Sequence, residues 1–125
     1  MKRSIIGVFC LIFVLLVFMP SCKKKVFDIT GTWNIHIVYA GIYVYDCTIT
    51  FAGSETSGMA TGNCTPNSGS GLYTVTDGET INFTITWPNA AVVDDFVGTK
   101  TSDTYMSGTL VENPGNTPGT WSASR

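Results

Sequence analysis

What most constrains this chain is a series of short segments, each alternating apolar and polar side chains. From Thr32 onward they recur roughly every 8–12 residues. Trp33, Ile35, Ile37 and Tyr39 share one parity against Asn34 and His36. Tyr43, Tyr45, Cys47, Ile49 and Phe51 do the same against Asp46, Thr48 and Thr50. Thr80 to Trp87 is the cleanest case, with Ile81, Phe83, Ile85 and Trp87 set against Asn82, Thr84 and Thr86. A period of two places successive side chains on opposite faces of a strand, so each segment reads as a half-buried strand. Further strands are expected within Thr56–Gly62, Leu72–Thr76, Val92–Thr99, Tyr105–Val111 and Thr120–Ser124. Ala40-Gly41, Ala52-Gly53-Ser54, Asp77-Gly78 and Pro88-Asn89 punctuate them, and Asp-Gly is a strong hairpin signal. Thr65–Gly71 and Glu112–Gly119 read as loops by composition. No window of this region keeps the i, i+3, i+4, i+7 apolar spacing of a helix.

About eight short strands joined by hairpin-length connections leave no room for the crossovers that parallel pairing needs. The expectation is an all-β antiparallel meander closed into an up-and-down barrel, with a two-sheet β-sandwich as the alternative. Closure removes the open edges that a flat, Thr-rich sheet would expose. Gly31-Thr32-Trp33 opens the first strand, and Arg125 is the late basic residue available to cover the indole. In these positions the chain resembles the small lipocalin-like (calycin) barrels. That resemblance implies a barrel able to hold a small apolar ligand. Trp33, Ile35, Ile37, Ile49, Ile81, Phe83 and Ile85 then become the candidate ligand-lining residues. The aromatics Trp33, Tyr45, Phe51, Tyr73, Phe83, Phe96 and Trp121 serve equally well to fill so narrow a barrel, and core packing is the favoured reading.

The N-terminus is of another kind. Lys2 and Arg3 precede an apolar run from Ile5 to Met19, 15 residues long. That is short for a permanent helical span of about 20 residues and fits a secretory h-region. Met19-Pro20-Ser21-Cys22 follows. It resembles the lipobox of bacterial lipoproteins, with Ser21 in the small position and Cys22 as the lipidated thiol. The resemblance implies a signal peptide over 1–21, a diacylglyceryl thioether plus an N-acyl chain (palmitate) on Cys22, and a basic tether over 22–28. The barrel domain then occupies 29–125. Several acyl chains give stable anchoring where one gives only reversible binding. Lys23, rather than Asp, follows the lipidated position, which favours the outer membrane of the cell envelope over the inner. From Val26 to Arg125 two cations stand against nine acids, a net of −7. An acidic body of that kind is repelled by phosphate backbones, so nucleic-acid binding is excluded.

Chemistry-bearing residues are few. With Cys10 lost with the signal and Cys22 lipidated, Cys47 and Cys64 remain as an even pair in an exported body, the pattern of a disulfide. With His36 they lack the spacing and fourth ligand of a zinc site, and no cofactor motif is present. His36, the chain's one imidazole, reads as a solvent-facing strand residue, and no Gly-x-Ser-x-Gly elbow accompanies it. Asp94-Asp95 reads as a solvated bulge, without an Asp-x-Asp-x-Asp calcium loop around it. The expected function is therefore non-catalytic: a membrane-anchored module binding a small apolar ligand. The alternative is a loop-mediated interaction or inhibitor protein of the envelope. Tyr45-Asp46-Cys47 and Ser70-Gly71-Leu72-Tyr73 faintly resemble motifs of the lipoprotein inhibitors of lysozyme, and an acidic body suits a basic partner.

Overall fold

Alternation alone would permit several sheets, but hairpin chemistry at nearly every connection selects one. A computed structural model describes residues 28–125. The segment expected to be a signal peptide, the expected lipidation site Cys22 and nearly all of the expected tether lie outside those residues. Eight strands follow in order: β1 Gly31–Tyr39, β2 Tyr43–Gly53, β3 Ser57–Cys64, β4 Asn67–Thr76, β5 Thr80–Trp87, β6 Val92–Ser102, β7 Tyr105–Asn113 and β8 Thr117–Ser124. Each pairs antiparallel with the next, and β8 returns to β1 from Asn34↔Ser124 to Tyr39↔Gly119, closing the barrel. The sandwich alternative is thereby excluded. Asp77 and Gly78 take φ of 54° and 68°, the left-handed pair that a two-residue hairpin with the right twist requires.

Two expected loops turn out to be mostly strand. β4 begins at Asn67 and β8 at Thr117, so Gly69, Gly71 and Gly119 belong to the ladder rather than to turns. Composition misleads here because these segments are held by neighbours on both sides. Ser68 opposes Asn63 and Thr117 opposes Glu112, and the backbone pairing needs no large side chain. Glycine also makes room for indoles inside the wall. A Cβ on Gly62 would stand 2.6 Å from the Trp87 ring, and one on Gly98 would stand 2.5 Å from that of Trp121.

The barrel centre is full. Phe83 stacks on Phe96 with centroids 4.3 Å apart, and Phe51 and Trp121 meet Phe83 edge-on at 5.3 Å each. Tyr73 joins through Phe51, so one aromatic cluster fills the middle, as the core-packing reading expected. Around it Ile35, Ile49, Ile81 and Ile85 are buried. Tyr45 is the exception among the seven aromatics, being 49% exposed near the end of the barrel.

One end is sealed. Trp33 is fully buried, its indole N–H donates to the Ile29 carbonyl at 2.8 Å, and the Arg125 guanidinium lies 4.2 Å from the ring centroid. Arg125 also donates to the carbonyls of Asp28, Thr30 and Asp103, tying the chain's first described residues to its last. Lys100 is buried at the same end, near the Asp28 carbonyl and the Asp103 carboxylate. The Gly31–Trp33–Arg125 arrangement expected from the resemblance is thus present. Cys47 and Cys64 are joined, with Cα atoms 4.5 Å apart, near the opposite end.

Candidate functional site at the open mouth

The mouth is formed where β1, β3, β5 and β7 end and where β2, β4, β6 and β8 begin. A cup of about 380 Å³ opens there, within the range of small-molecule sites. Ile37, Tyr39, Trp87 and Val92 give it apolar walls, and Tyr43 and Tyr45 stand at the rim. Tyr39 and Tyr45 meet edge to face at 5.6 Å.

Two acids point into this cup. Asp94 shares its parity on β6 with Phe96 and Gly98, and it is fully buried rather than solvated. The expectation of a solvated Asp94-Asp95 bulge is overturned: both residues pair in unbroken register on β6, and only Asp95 faces solvent. Strand parity outweighs the ordinary outward preference of an acid because two donors await it. The Tyr39 hydroxyl donates to Asp94 Oδ2 at 2.6 Å, and the Trp87 indole N–H donates to the same oxygen at 2.8 Å. No hydrogen-bond donor reaches Oδ1. Glu112, directly opposite Asp94 on β7, brings a second carboxyl against it.

Two carboxyls facing one another in a part-buried site cannot both ionise at ordinary cost. Burial pushes the Asp94 carboxyl up, against the hydrogen bonds from Tyr39, Trp87 and Glu112, with the Asp95 charge adding to the rise. Burial also raises Glu112, and the charge and hydrogen bond of Asp94 raise it further. The Tyr39 phenol is driven well above its ordinary range by burial and then by its bond to Asp94, so it stays a donor. The arrangement is a pair of facing carboxyls, each harder to ionise than an exposed acid, on the floor of an aromatic cup.

Of the seven residues expected to line a ligand, Ile37 borders this cup. Trp33 forms the sealed end, while Ile35, Ile49, Ile81, Phe83 and Ile85 are packed in the centre. Sequence reasoning missed Asp94, Glu112, Tyr39 and Trp87 as site residues. The parity of Asp94 with Phe96 was the available signal. The two segments that resemble lysozyme-inhibitor motifs lie within β2 and β4, not in loops, and β3 runs between them.

A larger but shallow hollow of about 620 Å³ lies on the outer wall, where Ser122, His36 and Asp46 form a row across three strands. His36 Nδ1 is 2.6 Å from Asp46 Oδ1, yet their side chains are 50% and 80% exposed. Among the described residues no hydrogen bond joins Ser122 to His36. The row lacks the water-excluded setting in which a serine is activated.

No protein-family model matches the sequence, and no curated protein matches it either. Solved structures do. The fold is similar to a redesigned β-barrel, b11L5F_LGL, with a TM-score of 0.69 and 18% identity over 77% of this chain and 90% of that one. The redesigned barrel mFAP1, bound to DFHBI, gives 0.68 at 16% identity over 77% of this chain and 94% of that one. EF1p2_mFAP2b, also bound to DFHBI, gives 0.66 at 18% identity over 77% and 92%. The shared fold is an eight-stranded antiparallel β-barrel. At these identities the likeness concerns architecture alone.

Proposed function

We propose that this chain is an exported lipoprotein, anchored through Cys22 to the outer membrane, whose barrel binds a small, largely apolar ligand at its mouth without catalysing a reaction. The observation that carries the reading is the cup itself: a concave, aromatic-walled space above a filled centre. Barrels of the same architecture that hold the small molecule DFHBI support it. The lipobox-like Met19-Pro20-Ser21-Cys22 supports the anchoring half. Apolar burial at about 25 cal/mol per Å² suffices for micromolar affinity when the cup is preformed. Titration with fatty acids and an apolar fluorescent probe should show saturable binding that Val92→Trp, which fills the cup, abolishes. Absence of saturable binding at tens of micromolar by folded protein would refute the reading.

One observation favours a second reading, contact with an envelope protein. Ile42 is 74% exposed and Tyr43 63%, and with Val44 and Tyr45 they make the β1–β2 hairpin an apolar crest at the mouth. Ile42→Ser with Val44→Ser would abolish that contact while sparing binding of the probe.

A further inference from the structure

The floor of the mouth is specific about charge. An anionic ligand would meet two carboxyls and no counter-charge. Lys100 and Arg125, the two Lys or Arg residues of the described chain, both sit at the sealed end. Lys100 is six residues down β6 from Asp94, about 20 Å at 3.3 Å per residue. A wholly apolar ligand would leave Asp94 Oδ1 buried without a donor. A neutral hydroxyl could donate to Oδ1 but would bring no counter-charge to the two carboxyls. A protonated amine does more. It donates to Oδ1, allows both carboxyls to ionise, and finds the rings of Tyr39, Tyr45 and Trp87 around it.

On the reading of the mouth as the ligand site, we propose that its ligand is an ammonium group carried on an aromatic or other apolar body, with Asp94 and Glu112 as the counter-charges. The groups facing Asp94 are Tyr39 from β1, Trp87 from β5 and Glu112 from β7, with Tyr45 of β2 beside Tyr39 and Asp95 following on β6. None of them is a cation. A cation there favours the ionised form of both carboxyls, so a proton held by either is released to solvent on binding, while the ligand's N–H bonds take its place. Affinity rises with pH through the raised carboxyl range and falls again where the ligand amine deprotonates.

The test uses the full chain in detergent and three probes of one shape: 1-naphthylmethylammonium, 1-naphthylmethanol and 1-naphthoate. Calorimetry in two buffers of different ionisation enthalpy reads both affinity and proton release. The ammonium should bind about ten- to a hundredfold tighter than the alcohol, as expected of a charge-assisted hydrogen bond. Proton release should accompany the ammonium alone, and 1-naphthoate should not bind. Glu112→Gln should bring the ammonium-to-alcohol ratio down toward unity and abolish the proton release. Asp94→Asn, checked for folding by its thermal transition, should do the same. Equal binding of ammonium and alcohol by the native chain would overturn the charge proposal and leave the mouth as a ligand site. Failure of all three probes to bind would overturn both.

Discussion

Phe83→Ala tests whether the barrel centre is as full as its geometry indicates. Phe83 is 2% exposed and touches three other rings, Phe51, Phe96 and Trp121, at centroid distances of 4.3–5.3 Å. Removing the ring empties about 100 Å³, and at about 24 cal/mol per Å³ the residual cavity costs about 2.4 kcal/mol. Lost transfer free energy of the buried ring adds about 2 kcal/mol. The sum, about 4–5 kcal/mol, lies at the upper end of measured Phe→Ala losses, as a ring held on three sides should. For a domain of this size each kcal/mol moves the thermal midpoint by about 4–8 °C, so a fall of roughly 15–35 °C is expected. Urea unfolding with the disulfide intact measures the loss, and an unchanged m-value shows that the two end states are comparable. Benzene at millimolar concentration should restore part of the stability of Phe83→Ala and leave the native chain unaffected, because only the variant has a dry cavity to fill. A loss below about 1.5 kcal/mol would mean that the centre is hydrated or compliant, and the reasoning that confines the ligand to the mouth would fail.

Three other outcomes are expected. The folded state holds the Asp94 proton more tightly than the unfolded chain does, so its contribution to stability is complete below the ordinary Asp value of about 3.9 and is lost as pH rises through the raised value. Thermal midpoints at pH 4.5 and pH 8 should therefore converge in Asp94→Asn relative to the native chain, and an unchanged gap would count against the buried acid. Breaking the Cys47–Cys64 bond as Cys47→Ser with Cys64→Ser frees a loop spanning a sequence separation of 17, and should cost about 3 kcal/mol in urea unfolding. Cys22→Ala should remove palmitate labelling from cells expressing the chain, whereas equal labelling of variant and native protein would sink the lipid anchor.

The architecture was legible wherever side chains declare their face. Ile81, Phe83, Ile85 and Trp87 marked β5 within a residue, and Asp77-Gly78 placed its hairpin. Asn67 to Gly71 and Thr117 to Gly119 were not legible. Their glycines are strand residues because neighbouring strands and bulky indoles occupy the space a side chain would take, and that information resides on other segments. The site was harder to see than the fold for a related reason. Tyr39 and Asp94 are 55 residues apart, and nothing local to either announces the other. Glu112 and Asp94 become neighbours only through the register of β6 against β7, which places two like charges side by side on the inner face. Local reasoning sends acids outward, and this pair goes inward because closure supplies Tyr39 and Trp87 to receive it.

The knot of Asp28, Thr30, Asp103 and Arg125 around Trp33 fixes where the polypeptide enters the barrel. A tether arriving at Asp28 holds the molecule by its sealed pole, like a cup standing on its base. The nine residues of β1, tilted as barrel strands are, then lift the mouth roughly 20–25 Å above that pole. On the proposed lipid anchor at Cys22, the bilayer would lie beneath that pole and the cup would open toward the aqueous side. The proposed ligand would then arrive through water or by hand-over from another macromolecule, and the crest of Ile42, Tyr43 and Val44 is the first surface such a donor would meet.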